Sequence, residues 1–249
     1  MEITSVNNEQ VKECAKLQQK KYRRGGKFLL EGSKAIKEAY DSGIEIERVF
    51  VEKSHVKDYD FVKDLIIETS EPVLKKLCTT DSAPNAVAVG IQKKYDKNVL
   101  KNAKKVVLLE NTKDLGNLGT IIRTSVAFGA DAIVLYGESV DIYNPKCVRS
   151  SVGQLWKIPI IDIKDFDELA EIFDKFERIA TLPRSNNLLK TFKPNLPTLV
   201  MFGSEADGLS DDLIKFSTKS VKIEMAKTVE SLNLATSAAV ILYEIFIRE

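Results

Sequence analysis

The chain has 249 residues, of which 44% are hydrophobic and 29% charged, with a formal net charge of +1. That is the profile of a globular chain of one large or two ordinary domains, and it excludes a collagen, a disulfide scaffold and a long disordered polymer. Three cysteines (Cys14, Cys78, Cys147) lie far apart with no Cys-x-x-Cys pair, which points to a reducing, cytoplasmic setting. The single histidine, His55, excludes His-rich metal sites, and no metal is expected. The start, Met-Glu-Ile-Thr, has no basic stretch followed by an apolar run, so no signal peptide is read. The uncharged stretch from Ser231 to Tyr243 is too short to span a bilayer, and no membrane partner is expected.

Charge is unevenly placed. Residues 12–37 carry nine Lys/Arg against two acids, a local balance of +7. Such a run suits a solvated helix face, and it equally suits phosphates of a nucleic acid. In chain order, 8–21 reads as a helix, Arg23 to Lys27 as a loop around Gly25-Gly26, and 27–31 as a strand. A helix to Tyr40, a strand over 47–52, a further helix, a short strand near 65–68, a helix over 72–78 and a strand over 85–92 follow. This makes a small α/β unit over residues 1–92. The polar, lysine-rich segment 93–104 reads as a linker.

A second unit covers 105–249. Strands are predicted at 105–110, 132–136, 157–162, 178–182, 198–203 and 221–224. Helices are predicted at 118–128, from Lys146, from the Asp165/Glu168 capping box to Phe176, after Ser210, and over 231–248. Strands alternating with helices call for a mostly parallel sheet, in which ligands sit at the carboxyl ends of the strands.

Three loops fall at such ends. The first, Asn111 to Arg123, reads Asn-Thr-Lys-Asp-Leu-Gly-Asn-Leu-Gly-Thr-Ile-Ile-Arg, with Asn117 expected to cap the following helix and Arg123 six residues later. The second, Phe202 to Ser210, reads Phe-Gly-Ser-Glu-Ala-Asp-Gly-Leu-Ser. It lacks both the phosphate-loop Gly-Lys-Ser/Thr and the dinucleotide Gly-x-Gly-x-x-Gly patterns, and its acids suit ribose hydroxyls or a cationic ligand. In the third, Ser231-Leu-Asn-Leu-Ala-Thr-Ser-Ala-Ala, Ser231 is expected to cap the terminal helix, with Asn233 in its first turn. Each loop alone also reads as an ordinary capped connection.

Together the three resemble the motifs of the SpoU (TrmH-like) family of SPOUT RNA ribose 2′-O-methyltransferases. Asn117, Gly119 and Arg123 match its first motif. Gly203, Ser204, Glu205, Gly208, Leu209 and Ser210 match its second, and Ser231, Leu232 and Asn233 its third. The segments from Lys27 to Gly32 and from Pro84 to Val89 resemble the family's substrate-binding domain. The chain departs from the family pattern at Leu115 (often Pro), Ala206 (Gly) and Glu224 (Pro).

The resemblance implies an α/β fold whose C-terminal, mostly parallel sheet carries a trefoil-knotted cofactor site, with a small N-terminal α/β RNA-binding domain. It implies a homodimer that transfers a methyl group from S-adenosylmethionine to a ribose 2′-hydroxyl of structured RNA, ribosomal RNA foremost, with no DNA partner. Phe202, Gly203, Ser204, Gly208, Ile223, Met225 and Leu232 are then expected at the cofactor. Arg123 is expected to clamp phosphate and stabilise the developing oxyanion, in the other subunit's site. Asn117, Glu205, Ser231 and Asn233 would orient the groups; the proton could go to water or a phosphate oxygen, and Glu205 is the more plausible general base among the four. Lys20, Lys21, Arg23, Arg24 and Lys27 are expected to contact RNA, the two arginines from a flexible loop. The alternative is a non-catalytic RNA-binding or ribosome-assembly protein on the same fold. A nucleotide-dependent oxidoreductase fits the alternation but lacks the glycine fingerprint.

Overall fold

Five short β-branched and aromatic runs form a mixed sheet in the first half of the chain. The computed structural model describes residues 2–226, 228–229 and 231–248. The elements of the first half are β1 (Glu2–Ile3), α1 (Glu9–Lys16), α2 (Lys20–Arg23), β2 (Lys27–Glu31) and α3 (Ser33–Asp41). They continue with β3 (Ile46–Glu52), β4 (Ile66–Thr69), α4 (Glu71–Leu77) and β5 (Ala86–Ile91). The strand order is β1-β4-β3-β5-β2. β4 runs parallel to β1 and β3, while β5 runs antiparallel to β2 and β3. Val11, Leu29, Phe50, Leu74 and Val87 lie in the core beneath α1 and α4.

The long helix expected over 8–21 is two pieces. Asn8 caps α1, whose bond pattern ends at Leu17, and α2 begins only at Lys20. The expected helix after β3 is a tight 3₁₀ segment, Lys53–Leu65, broken at Tyr59 and Val62.

The second half supplies β6 (Lys105–Glu110), α5 (Leu115–Ala127) and β7 (Ala132–Tyr136). After α6 (Pro145–Ser151) come β8 (Ile160–Ile163), α7 (Phe166–Ile172), β9 (Glu177–Thr181), β10 (Thr198–Phe202), α8 (Asp211–Phe216), β11 (Lys219–Val221) and α9 (Leu234–Phe246). Six strands in the order β11-β9-β10-β6-β7-β8 are all parallel. The apolar runs expected of buried parallel strands fill them: every residue of β10 is buried, as is β6 after Lys105. Helices on the faces complete the core around Leu108, Val134, Phe173, Leu199 and Met201.

By compactness the chain divides into Met1–Lys94 with Asp141–Trp156, and Tyr95–Val140 with Lys157–Glu249. The segment between β7 and β8 therefore belongs to the first unit. There Tyr143 and Trp156 pack on Phe28, with ring centroids 4.9 and 5.2 Å away. Two ion pairs of opposite sense secure it. Arg23 Nε donates to Asp141 Oδ2 at 2.6 Å, and Arg149 Nη1 donates to Glu31 Oε2 at 2.7 Å. Arg23 is only 2% exposed and also donates from Nη1 to the Leu17 carbonyl at 2.6 Å. The expectation of Arg23 on a flexible loop is thus corrected: it closes α2 and is buried, because its charge has a partner 118 residues away.

Strand order fixes where a ligand can go in the second unit. From β6 the chain builds outward through β7 and β8, then crosses to place β9 beyond β10 on the other side. The reversal lies between β6 and β10, and a crevice opens at their carboxyl ends.

Candidate functional site

The loop after β10 is drawn back on itself. Ser204 N donates to the Gly208 carbonyl at 3.0 Å, and Gly208 N donates to the Ser204 carbonyl at 3.1 Å. Ser204 Oγ accepts from Asp207 N at 3.0 Å. Gly208 has φ +71°, the left-handed region, and Gly203 leaves no room for a side chain. A Cβ on Gly203 would lie 1.9 Å from the Gly208 carbonyl carbon and 2.1 Å from Leu209 N. Ser210 caps α8, and its own N–H donates at 2.8 Å to Oε2 of Glu110, a buried carboxylate at the end of β6.

Above this loop lies a cleft of about 720 Å³, the size of a nucleoside-type ligand site. Phe202, Gly203, Ser204, Gly208, Ile223, Met225 and Leu232 all line it, as do Glu205, Ser231 and Asn233. Leu182 and Ile241 add to its apolar wall. Of the three departures, Ala206 lines the cleft, whereas Glu224 turns to Lys190, whose Nζ donates to its Oε1 at 2.6 Å.

The three loops meet through side chains. Asn233 Nδ2 donates to Asn117 Oδ1 at 3.0 Å, and Asn117 Nδ2 donates to Glu205 Oε1 at 3.0 Å. Asn117 is thus the middle member, accepting from one motif and donating to another. With both ends of its amide engaged, its orientation is set, and Glu205 is held through an oxygen that receives a hydrogen bond.

Two capping expectations are corrected. Asp114, not Asn117, caps α5: its Oδ1 accepts from Asn117 N at 2.7 Å, which places Asn117 inside the first turn with its side chain free for the network. Asn233, not Ser231, caps α9, accepting from Ala235 N at 2.9 Å and Thr236 N at 3.2 Å. Asp and Asn are as good at this position as the residues first chosen, so spacing alone did not decide it. Arg123 lies on α5, exposed, with no hydrogen bond or ion pair among the described residues, and no residue of α5 lines the cleft. Glu110 was not singled out by sequence. An acid ending an otherwise apolar buried strand was the available signal.

In the first unit, Lys20, Lys21, Arg24 and Lys27 are exposed, and Lys27 pairs with Glu47. The Glu47 carboxyl is held below its ordinary range by the hydrogen bond from Lys27 and a second from Arg48. Among the described residues, no group of three or more His, Cys, Asp or Glu is placed to hold a metal. No described helix is long and apolar enough to cross a membrane.

The chain matches the model of the SpoU rRNA Methylase family over residues 104–243 and that of the MRM3-like substrate binding domain over residues 8–88. It is 33% identical to an uncharacterized tRNA/rRNA methyltransferase of Synechocystis over 97% of this chain and 92% of that one. It is 28% identical to a 23S rRNA (guanosine(2553)-2′-O)-methyltransferase of Bacillus subtilis over 98% of each. Among solved structures, the AdoMet-bound rRNA methyltransferase of Sinorhizobium meliloti superposes with a TM-score of 0.88 at 28% identity, covering 98% of this chain and 96% of that one. The AdoMet complex of the SpoU methyltransferase AviRb of Streptomyces viridochromogenes gives 0.85 at 26% identity, covering 96% and 97%. With the strand order, the clasped loop and both domain matches in place, the chain belongs to the SpoU rRNA methylase family.

Proposed function

We propose that this chain transfers a methyl group from S-adenosylmethionine to a ribose 2′-hydroxyl of ribosomal RNA. The observation that carries the reading is the Asn233–Asn117–Glu205 chain of hydrogen bonds at the mouth of the cleft. The Bacillus relative above is a 23S rRNA 2′-O-methyltransferase by name, as is a 23S rRNA (uridine(2479)-2′-O)-methyltransferase of Streptomyces viridochromogenes, 27% identical over 90% of this chain.

The cleft suits the cofactor. Leu182, Phe202, Ile223, Met225 and Leu232 offer apolar walls to an adenine, and the side-chain-free Gly203 leaves backbone accessible beside them. Glu205 and Asp207 give the cleft lining a negative charge that would suit a cationic sulfonium and would repel a phosphate. Bound there, S-adenosylmethionine supplies an electrophilic methyl group. Ser204 and Gly208 hold the loop, and Ser231 and Asn233 line the cleft with it. Glu205 is the proton acceptor for the ribose hydroxyl, since the cleft holds no histidine and Asn117 fixes one of its carboxylate oxygens. The guanidinium of Arg123 offers a planar fork of donors and no acceptor, so it acts as a phosphate clamp and oxyanion partner rather than as a base.

Arg123 stands outside its own cleft, and for that reason we assign it to the cleft of a second copy in a homodimer. The exposed Val240 and Tyr243 of α9, which packs on α5, and Ile247 just after it form the apolar surface that copy would cover. Residues 1–92 are read as the RNA-binding domain, 93–104 as the linker and 105–249 as the methyltransferase domain. The trefoil knot belongs to the same reading. Lys222 is tied by backbone bonds to Asn187 and Leu189 before the chain returns to begin α9 beside Asn117. Free, buried thiols at all three cysteines support a cytoplasmic setting.

The test is transfer of labelled methyl from S-adenosylmethionine to ribosomal RNA lacking its native methylations. The wild type is expected to label it, and Arg123→Ala to lose at least about a hundredfold in rate, as for removal of one oxyanion donor, while still binding cofactor. RNA binding with no transfer would favour the non-catalytic alternative.

A further inference from the structure

Tyr22 is a large aromatic side chain left 41% exposed on a four-residue helix whose other side is firmly fixed. Its neighbour Arg23 is buried against Asp141 and the Leu17 carbonyl, and Gln92 Nε2 donates to the Arg23 carbonyl at 2.9 Å. Two ammonium groups on flexible stems lie over the ring in cation–π contact: Lys21 Nζ at 4.8 Å and Lys16 Nζ at 5.8 Å from its centroid. Lys16, Lys20, Lys21 and Arg24 are exposed, and none has a carboxylate partner among the described residues. A rigidly presented π-face within uncompensated positive charge is what a stacked, unpaired base and its flanking phosphates require. A protein partner with an acidic surface would use the lysines but would gain little from an exposed tyrosine face.

We propose that Tyr22 is a stacking platform for an unpaired base of the RNA substrate, the base taking the place of the Lys16 and Lys21 ammonium groups over the ring as these turn to its flanking phosphates. The inference rests on the RNA reading above and adds to it the residue that would distinguish single-stranded from duplex RNA. Lysines reach phosphates of either form, whereas the ring engages only a base that is free to leave its helix. The buried Arg23 takes no part in contacting RNA. Its role is to hold α2 so that Tyr22 keeps its place.

The test uses the full chain and a labelled oligouridylate of about twelve nucleotides, single-stranded or annealed to its complement. Tyr22→Ala is expected to weaken binding of the single strand roughly fivefold or more and to leave the duplex within about twofold. Tyr22→Phe keeps the ring and is expected to bind both as the wild type does. Lys16→Ala with Lys21→Ala is expected to weaken both forms and to shallow the salt dependence by about two phosphate contacts. Equal single-strand binding by wild type and Tyr22→Ala would overturn the platform while leaving the methyltransferase reading intact. Failure of the wild type to bind either oligonucleotide or ribosomal RNA would overturn both. Cofactor titration of Tyr22→Ala, expected to match wild type, separates a folding defect from a lost contact.

Discussion

Gly203 offers a direct perturbation of the cleft that leaves its charged residues in place. Its φ is not in the left-handed region, so alanine meets no backbone objection, and removing a glycine on that ground would gain about 0.4–1 kcal/mol. The obstacle is steric. The new Cβ would sit 1.9 and 2.1 Å from the carbonyl carbon and oxygen of Gly208, well inside contact distance, so the two sides of the loop must separate. The paired Ser204–Gly208 backbone bonds, at 3.0 and 3.1 Å, then break or lengthen. At about 0.5–1.5 kcal/mol each, their loss costs about 1–3 kcal/mol. If the open loop must be closed again to bind cofactor, 1.4 kcal/mol per decade turns that cost into a roughly 5- to 150-fold rise in Kd. Calorimetric titration with S-adenosylmethionine measures it, and far-UV circular dichroism melting shows whether the fold is kept. A folded Gly203→Ala protein binding within about twofold of wild type would refute the argument that this loop shapes the site.

Three further outcomes follow from the geometry. Arg23→Met removes one partner of an ion pair with side chains 2% and 15% exposed, and is expected to destabilise by about 3 kcal/mol, seen as a lower denaturant midpoint at unchanged m. A surface arginine would leave that midpoint where it was. Burial opposes ionisation of Glu177, yet hydrogen bonds from Lys219 and Asn195 outweigh it and lower its pKa. The stability this contributes is complete above the unfolded carboxylate value of about 4.3 and fades as pH falls through the lower folded value, so Glu177→Gln should flatten the acid limb of the stability profile. A limb as steep as wild type would exclude that source. Burial pushes the Cys14 thiol up to about 11 and the Cys147 thiol up to about 12. Both should resist a disulfide-exchange reagent at pH 8 in the native protein and react once it is unfolded, whereas rapid native labelling of either would show that its site opens.

Much of the second unit was legible because its signals are local. Runs such as Val-Val-Leu-Leu and Leu-Val-Met-Phe, short and bounded by polar or glycine-containing segments, suit buried parallel strands, and loops rich in glycine and small polar residues follow them. The cleft-lining residues therefore fell where the motifs placed them. The starts of α5 and α9 were misjudged because two good capping residues stand near each start. The choice is made by which side chain reaches the free N–H groups, and the losing asparagine at α5 is released to bridge two loops. Arg23 was misplaced for a different reason. Within residues 12–37 it looks like one more solvated cation, and nothing nearby announces that Asp141 will neutralise it. The attachment of Asp141–Trp156 to the first unit was hidden likewise, since no change of composition marks it and its partners, Phe28 and Glu31, lie over a hundred residues upstream.

The most direct measurement is the position of the transferred methyl group in the RNA. After incubation with wild-type protein and labelled S-adenosylmethionine, ribosomal RNA is hydrolysed in alkali and the label is followed. A 2′-hydroxyl is the nucleophile of alkaline cleavage, so the account predicts label in alkali-resistant dinucleotides, with Asn117→Ala sharply reduced in rate and unchanged in cofactor affinity. Label recovered in ordinary mononucleotides would place the methyl on a base and contradict it.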